Sequence, residues 1–211
     1  MSDVIEQSSV IDRREAIRRV SALLGGVALI GGSTLLTACE QKNPRKVEDA
    51  VAAGFTPEEV ALLDEVADTI LPDTKTPGAK AAKVGPFMAV MVADTYEPKD
   101  QQVFRAGMKS LDEASMKANN TTFVKATPQQ RLALLERLDK EAKDYQDAKD
   151  KDDTKKDAPN HYFRMMKELS LLGYFTSEIG MTKAQRYVES PGRFDPCVPY
   201  QAGETSWAAH A

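Results

Sequence analysis

The chain has 211 residues, 42% of them hydrophobic and 28% charged, with a formal net charge of -4. That length leaves room for one ordinary domain rather than two, and the composition excludes disorder throughout. An acidic balance with no Lys/Arg stripe interleaved with aromatics argues against nucleic acid as a partner.

Residues 1–38 read as a twin-arginine lipoprotein signal. Arg13 and Arg14 precede an apolar run from Val20 to Leu36, whose hydrophobicity is moderated by Gly25, Gly26, Gly31 and Gly32. Leu36-Thr37-Ala38-Cys39 closes the run with small residues before a cysteine, so cleavage there would make Cys39 the lipidated N-terminus. The alternatives are an uncleaved anchor helix and an ordinary thiol near a cleavage site. On this reading the chain is sent to the periplasm and held to a membrane by lipid. Twin-arginine export carries folded proteins, often with a cofactor bound, yet the chain has no G-x-G-x-x-G after a strand, no C-x-x-C-H and no P-loop.

Residues 39–54 are largely polar and predict a tether. A helical domain then spans residues 55–188. Thr56-Pro57-Glu58-Glu59 supplies a cap hydroxyl, a proline at the first helical position and a glutamate to bond back. Val60, Leu63, Ala67 and Ile70 give that helix an apolar face, and it should stop before Pro72. Asp73 to Gly78 reads as a loop. Pro86 opens a second helix with Phe87, Val90 and Met91, and a third runs from Pro98 with Val103, Phe104, Gly107, Met108 and Leu111 inside. Thr127-Pro128-Gln129-Gln130 repeats the capping pattern, followed by Leu132, Leu135, Leu138 and Ala142.

Asp139 to Asp157 holds fourteen charged residues in nineteen with both signs mixed, the pattern of a solvated helix end and loop. Tyr162, Phe163, Met166, Leu169, Leu172, Tyr174 and Phe175 mark the central buried helix. The fold class is therefore all-α, a small domain of five or six helices. Residues 189–211, with Pro191, Pro196 and Pro199, cannot continue a helix and predict an extended strap on this domain or on another protein.

Candidate chemistry is sparse. Asp64, Glu65 and Asp68 could form an acid/base or cation site, or simply a solvated helix face. His161 has no Ser/Asp arrangement assignable to it, and Ser177 lacks the nucleophile elbow. Gly173 and Gly180 imply either close approach of another backbone or helix ends. The two cysteines form no C-x-x-C pair and have no metal-ligand spacing with a histidine, which argues against zinc. With Cys39 lipidated, Cys197 has no partner within the chain, pointing to an intermolecular bridge or a reactive thiol. A buried inert thiol and an internal Cys39–Cys197 disulfide remain the alternatives.

Three stretches carry a resemblance: Ala67-Asp68-Thr69-Ile70-Leu71-Pro72-Asp73-Thr74-Lys75-Thr76-Pro77-Gly78-Ala79, Leu172-Gly173-Tyr174-Phe175-Thr176-Ser177-Glu178-Ile179-Gly180, and Pro191-Gly192-Arg193-Phe194-Asp195-Pro196-Cys197. In this order, behind a twin-arginine leader, they resemble the gluconate 2-dehydrogenase subunit 3 family over nearly the whole mature chain. The resemblance implies a non-catalytic small subunit without catalytic, cofactor or metal residues of its own. Its implied partner is a large FAD-binding flavoprotein of glucose-methanol-choline type that oxidises a sugar, sugar acid or related alcohol. A multihaem cytochrome c is the implied third subunit, taking the electrons onward. The small subunit is implied to lend its signal to the translocase and to stabilise the flavoprotein. Tyr174, Phe175, Glu178, Arg193 and Phe194 are then the candidate partner contacts, and Cys197 the candidate intersubunit disulfide. The lipobox at Cys39 departs from the simplest family pattern. The competing readings are a stand-alone periplasmic enzyme using Asp64, Glu65 and Asp68, and a free-standing structural lipoprotein.

Overall fold

The computed structural model describes residues 46–190, 192, 197–199 and 201–208. Arg13, Arg14, Cys39, Arg193 and Phe194 lie outside the described residues. The described part is helical: α1 (Val47–Ala52), α2 (Pro57–Ile70), α3 (Val84–Thr95), α4 (Pro98–Asn119), α5 (Pro128–Asp150) and α6 (Tyr162–Phe175). Two single 3-10 turns, Phe123–Lys125 and Asp153–Lys155, and a π-helical turn, Gly180–Ala184, complete it. The all-α expectation holds, and among the described residues the only strand-like pairing is one parallel bridge between Arg186 and Trp207.

Both expected capping boxes form. Thr56 Oγ1 accepts the Glu59 N–H at 3.2 Å while Glu59 Oε2 accepts the Thr56 N–H at 2.9 Å, and Thr127 with Gln130 repeats this at 3.3 and 2.9 Å. Each box satisfies two backbone donors that a helix start would otherwise leave open. At the far end of α2 the chain turns at Leu71, and the Ala79 N–H returns to the Leu71 carbonyl at 2.8 Å, closing the Asp73–Gly78 loop. The Tyr174 hydroxyl donates to the Pro77 carbonyl at 2.7 Å and ties this loop to the end of α6.

Burial is deepest in α3, whose Val84, Gly85, Pro86, Phe87, Met88, Ala89 and Val92 leave no solvent face in the first turns. It lies against α1, α2 and α6, while α6 also packs on α4 and α5. The centre expected in α6 alone is thus shared, and α3 starts at Val84, two residues before Pro86. Gly107 is where α4 meets α6: a Cβ there would come within 2.3 Å of the Tyr162 Cβ.

Two segments differ from the sequence reading. The tether expected over 39–54 is helical from Val47, with Ala50 fully buried and Phe55 2% exposed beneath the Arg105 guanidinium, 3.9 Å from the ring centroid. In α5 the core-facing position of the first turn is taken by Arg131 rather than Leu132, which is 49% exposed. Of the two places expected for the C-terminal strap, this domain or another protein, its end takes the first. The Arg186 N–H bonds the Ser206 carbonyl at 2.9 Å and the Ala208 N–H bonds the Arg186 carbonyl at 2.8 Å. The Arg186 guanidinium meanwhile lies 4.5 Å from the Trp207 ring centroid and 3.2 Å from Glu204.

Gly107→Ala tests the α4–α6 crossing. Overpacking costs about 1–3 kcal/mol against about 1 kcal/mol gained in helix propensity, so the urea midpoint should fall. An unchanged or higher midpoint would mean that the two helices part without cost.

Candidate functional site

Of the Asp64, Glu65 and Asp68 cluster, Asp64 and Glu65 hold neighbouring elements together. Asp64 Oδ1 accepts the Gly85 N–H at 3.0 Å, joining α2 to the first turn of α3 at a point where a Cβ on Gly85 would strike that carboxylate. Burial is the main force pushing the Asp64 carboxyl above its ordinary range, with the Gly85 hydrogen bond opposing it. Glu65 forms ion pairs with Lys80 and Arg131, and both it and Arg131 are largely buried, at 15% and 13% side-chain exposure. The cluster therefore links α2 to α3, to the loop after α2 and to α5. Among the described residues no group of three or more His, Cys, Asp or Glu could hold a metal ion.

His161 caps α6. Its Nδ1 accepts the Phe163 N–H at 3.2 Å, so the neutral ring carries its proton on Nε2, which faces Glu141 at 3.7 Å. The ring stacks on Tyr162 at 4.5 Å. Burial lowers the imidazole below its ordinary value, and the Glu141 carboxylate opposes that shift. The neighbouring Tyr162 phenol is pushed up to about 12, chiefly by burial and then by Glu141.

The Leu172–Gly180 stretch has one face inside and one outside. Tyr174 is 4% exposed, as its place in the buried helix predicts, and it fastens the α2–α3 loop instead of presenting the candidate partner contact. Phe175 and Glu178 are exposed and stand beside the equally exposed Leu171 and Leu172. The Ser177 hydroxyl donates to the Tyr174 carbonyl at 2.5 Å and accepts the Gly180 N–H at 2.9 Å, which assigns it to the turn. Gly173 faces the Phe87 ring, 2.6 Å from where a Cβ would sit, so side chains rather than backbone require it. At Gly180 the Tyr174 carbonyl, 2.0 Å from such a Cβ, is the close backbone contact expected. Cys197 is exposed and unpaired among the described residues, which sets aside the buried thiol.

Sequence reasoning missed a groove of about 770 Å³ between α2 and α4, floored by Leu62 and Met108 and edged by Met116, Val124, Glu58 and Glu113. No periodicity within one helix could disclose it, because its walls are about fifty residues apart in the chain.

Two measurements test these assignments. Glu65→Ala leaves Arg131 without its counter-ion and should cost about 1–3 kcal/mol in urea unfolding; an unchanged midpoint would return Glu65 to the pool of groups available for chemistry. Because His161 binds its proton less tightly when folded, the stability it lends is present above its unfolded value of 6.5 and is lost as pH falls through the folded value. Between pH 7 and 5 the wild type should therefore lose stability that His161→Asn, which keeps a capping side chain, retains. Parallel pH profiles for the two proteins would count against that assignment.

Comparison with known proteins adds a single match. The model of the family described as gluconate 2-dehydrogenase subunit 3 covers residues 57–192. No curated protein and no solved structure matches the chain. The matched span runs from the first residue of α2 through the Asp73–Gly78 loop and the Leu172–Gly180 turn, so it takes in most of the helical domain. The chain belongs to the gluconate 2-dehydrogenase subunit 3 family.

Proposed function

We propose that this chain is the small, non-catalytic subunit of a periplasmic dehydrogenase complex, exporting and stabilising a large FAD-dependent flavoprotein of glucose-methanol-choline type. The family match over residues 57–192 carries the reading. It is supported by the structural engagement of Asp64 and Glu65, which tie α2 to α3 and α5, and of His161, which caps α6. What the domain does offer is surface: Leu171, Leu172, Phe175 and Glu178 at the end of α6, and Cys197 on the C-terminal loop.

In this reading Arg13 and Arg14 address the folded complex to the twin-arginine translocase, and Cys39 anchors it to a membrane through lipid. FAD belongs to the large subunit, which oxidises a sugar, sugar acid or related alcohol, and haem c to a third subunit that receives the electrons. Phe175, Glu178, Arg193 and Phe194 contact the flavoprotein, and Cys197 bridges to it, because an exposed thiol in an oxidising compartment seldom stays free.

Affinity purification of the tagged chain from periplasm and membranes, followed by flavin absorbance and by gels with and without reductant, tests the proposal. A large flavin-bearing chain should co-purify and separate from this one only on reduction, and Cys197→Ser should abolish the reductant dependence. Replacing Arg13 and Arg14 by lysine should leave both chains in the cytoplasm. A colourless chain recovered alone, or sugar oxidation by the isolated chain with an artificial acceptor, would refute the subunit role.

A further inference from the structure

The groove between α2 and α4 is a second surface, distinct from the end of α6. Along α4, Met108, Asp112 and Met116 follow one another at intervals of four residues, so their line is about 12 Å long, a little over two helical turns. Leu62 lies opposite on α2 and Val124 stands at the end, in the turn that follows α4. Met108 and Leu62 are buried at 3% and 8% exposure, whereas Met116 and Val124 stand open at 45% and 41%. An apolar floor that continues into open apolar edges leaves a hydrophobic surface uncovered, and methionine adapts its shape to whatever covers it.

The charge around the floor narrows the occupant. Four carboxylates, Glu58, Glu59, Asp112 and Glu113, line the groove against one ammonium, Lys109. Glu59 is committed to the α2 cap and faces Arg105 at 3.9 Å, and Asp112 Oδ1 accepts the Phe123 N–H at 2.7 Å. Glu58 and Glu113, both exposed, remain for an incoming cation, one on each wall. Such a rim repels an anionic membrane surface. It also repels the same groove of a second copy, because a two-fold contact would bring like charges together.

We propose that this groove receives an amphipathic helical segment of about two turns from another subunit of the complex, with apolar anchors at i, i+3 or i+4 and i+7 and Lys or Arg on its flanks. The anchors lie on Leu62, Met108, Met116 and Val124, and the flanking cations face Glu58 and Glu113. This rests on the subunit role proposed above and adds where the second chain is held and by what chemistry.

The test places a photoreactive benzophenone residue at Met116 in the tagged full chain, expressed with its complex in the native host. Leu132, 49% exposed on α5 and absent from the groove's lining, serves as the control position. After irradiation, mass spectrometry should find position 116, and not position 132, joined to a co-purifying subunit within a segment of that apolar and basic pattern. In parallel, Glu58→Lys with Glu113→Lys, which alters only exposed positions, should lower recovery of that subunit about tenfold, the loss expected from roughly 1.4 kcal/mol. An intact complex in which position 116 joins nothing, phospholipid, a small molecule or a second copy of this chain overturns the groove's assignment and leaves the subunit role standing. Failure of the wild type to recover any second chain overturns both.

Discussion

How closely α3 can approach its neighbours decides the rest of this fold. Its first turns have no solvent face, so every side of them must be met by another element at van der Waals distance. Gly85 permits this on the α2 side, where the chain comes close enough for its N–H to bond Asp64. On the α6 side Gly173 lets the Phe87 ring lie against the helix backbone. A methyl group at either point would push α3 away from both partners, because the core between them has no slack to absorb it.

The same constraint explains how α2 holds two of its carboxylates. A carboxylate brought to the edge of a crowded helix junction is desolvated, and it is retained there by hydrogen bonds and counter-ions. Asp64 has the Gly85 amide, and Glu65 has Lys80 and Arg131. Each arrangement offsets part of the cost of taking a carboxylate out of water. The family name is that of a subunit of a larger assembly.

Local signals in the sequence were legible where a few neighbouring residues determine the outcome. Thr56 and Thr127 announce helix starts because a capping box is complete within four residues. Six-residue α1 escapes notice, since its only fully buried member is Ala50 and one residue has no period. Arg131 and Leu132 show the limit of apolar spacing: the helix turns an arginine inward because Glu65 waits there, a fact sixty-six residues away. Tyr174 lies on the buried side with Met166, Leu169 and Ser170, whereas Leu172 and Phe175 of the same apolar run stand exposed. The groove is less legible still, because it exists only once α2 and α4 are side by side.

The clasp at Arg186 changes what the C-terminal loop is. With Arg186 bonded to Ser206 and Ala208, the chain around residue 197 leaves and re-enters the domain at one place. Much of the entropy of closing such a loop is spent on folding rather than on docking. A covalent link at Cys197 would also hang from two lengths of chain at once. Mechanical load on it would pass through Arg186 to the π-helical turn and the end of α6.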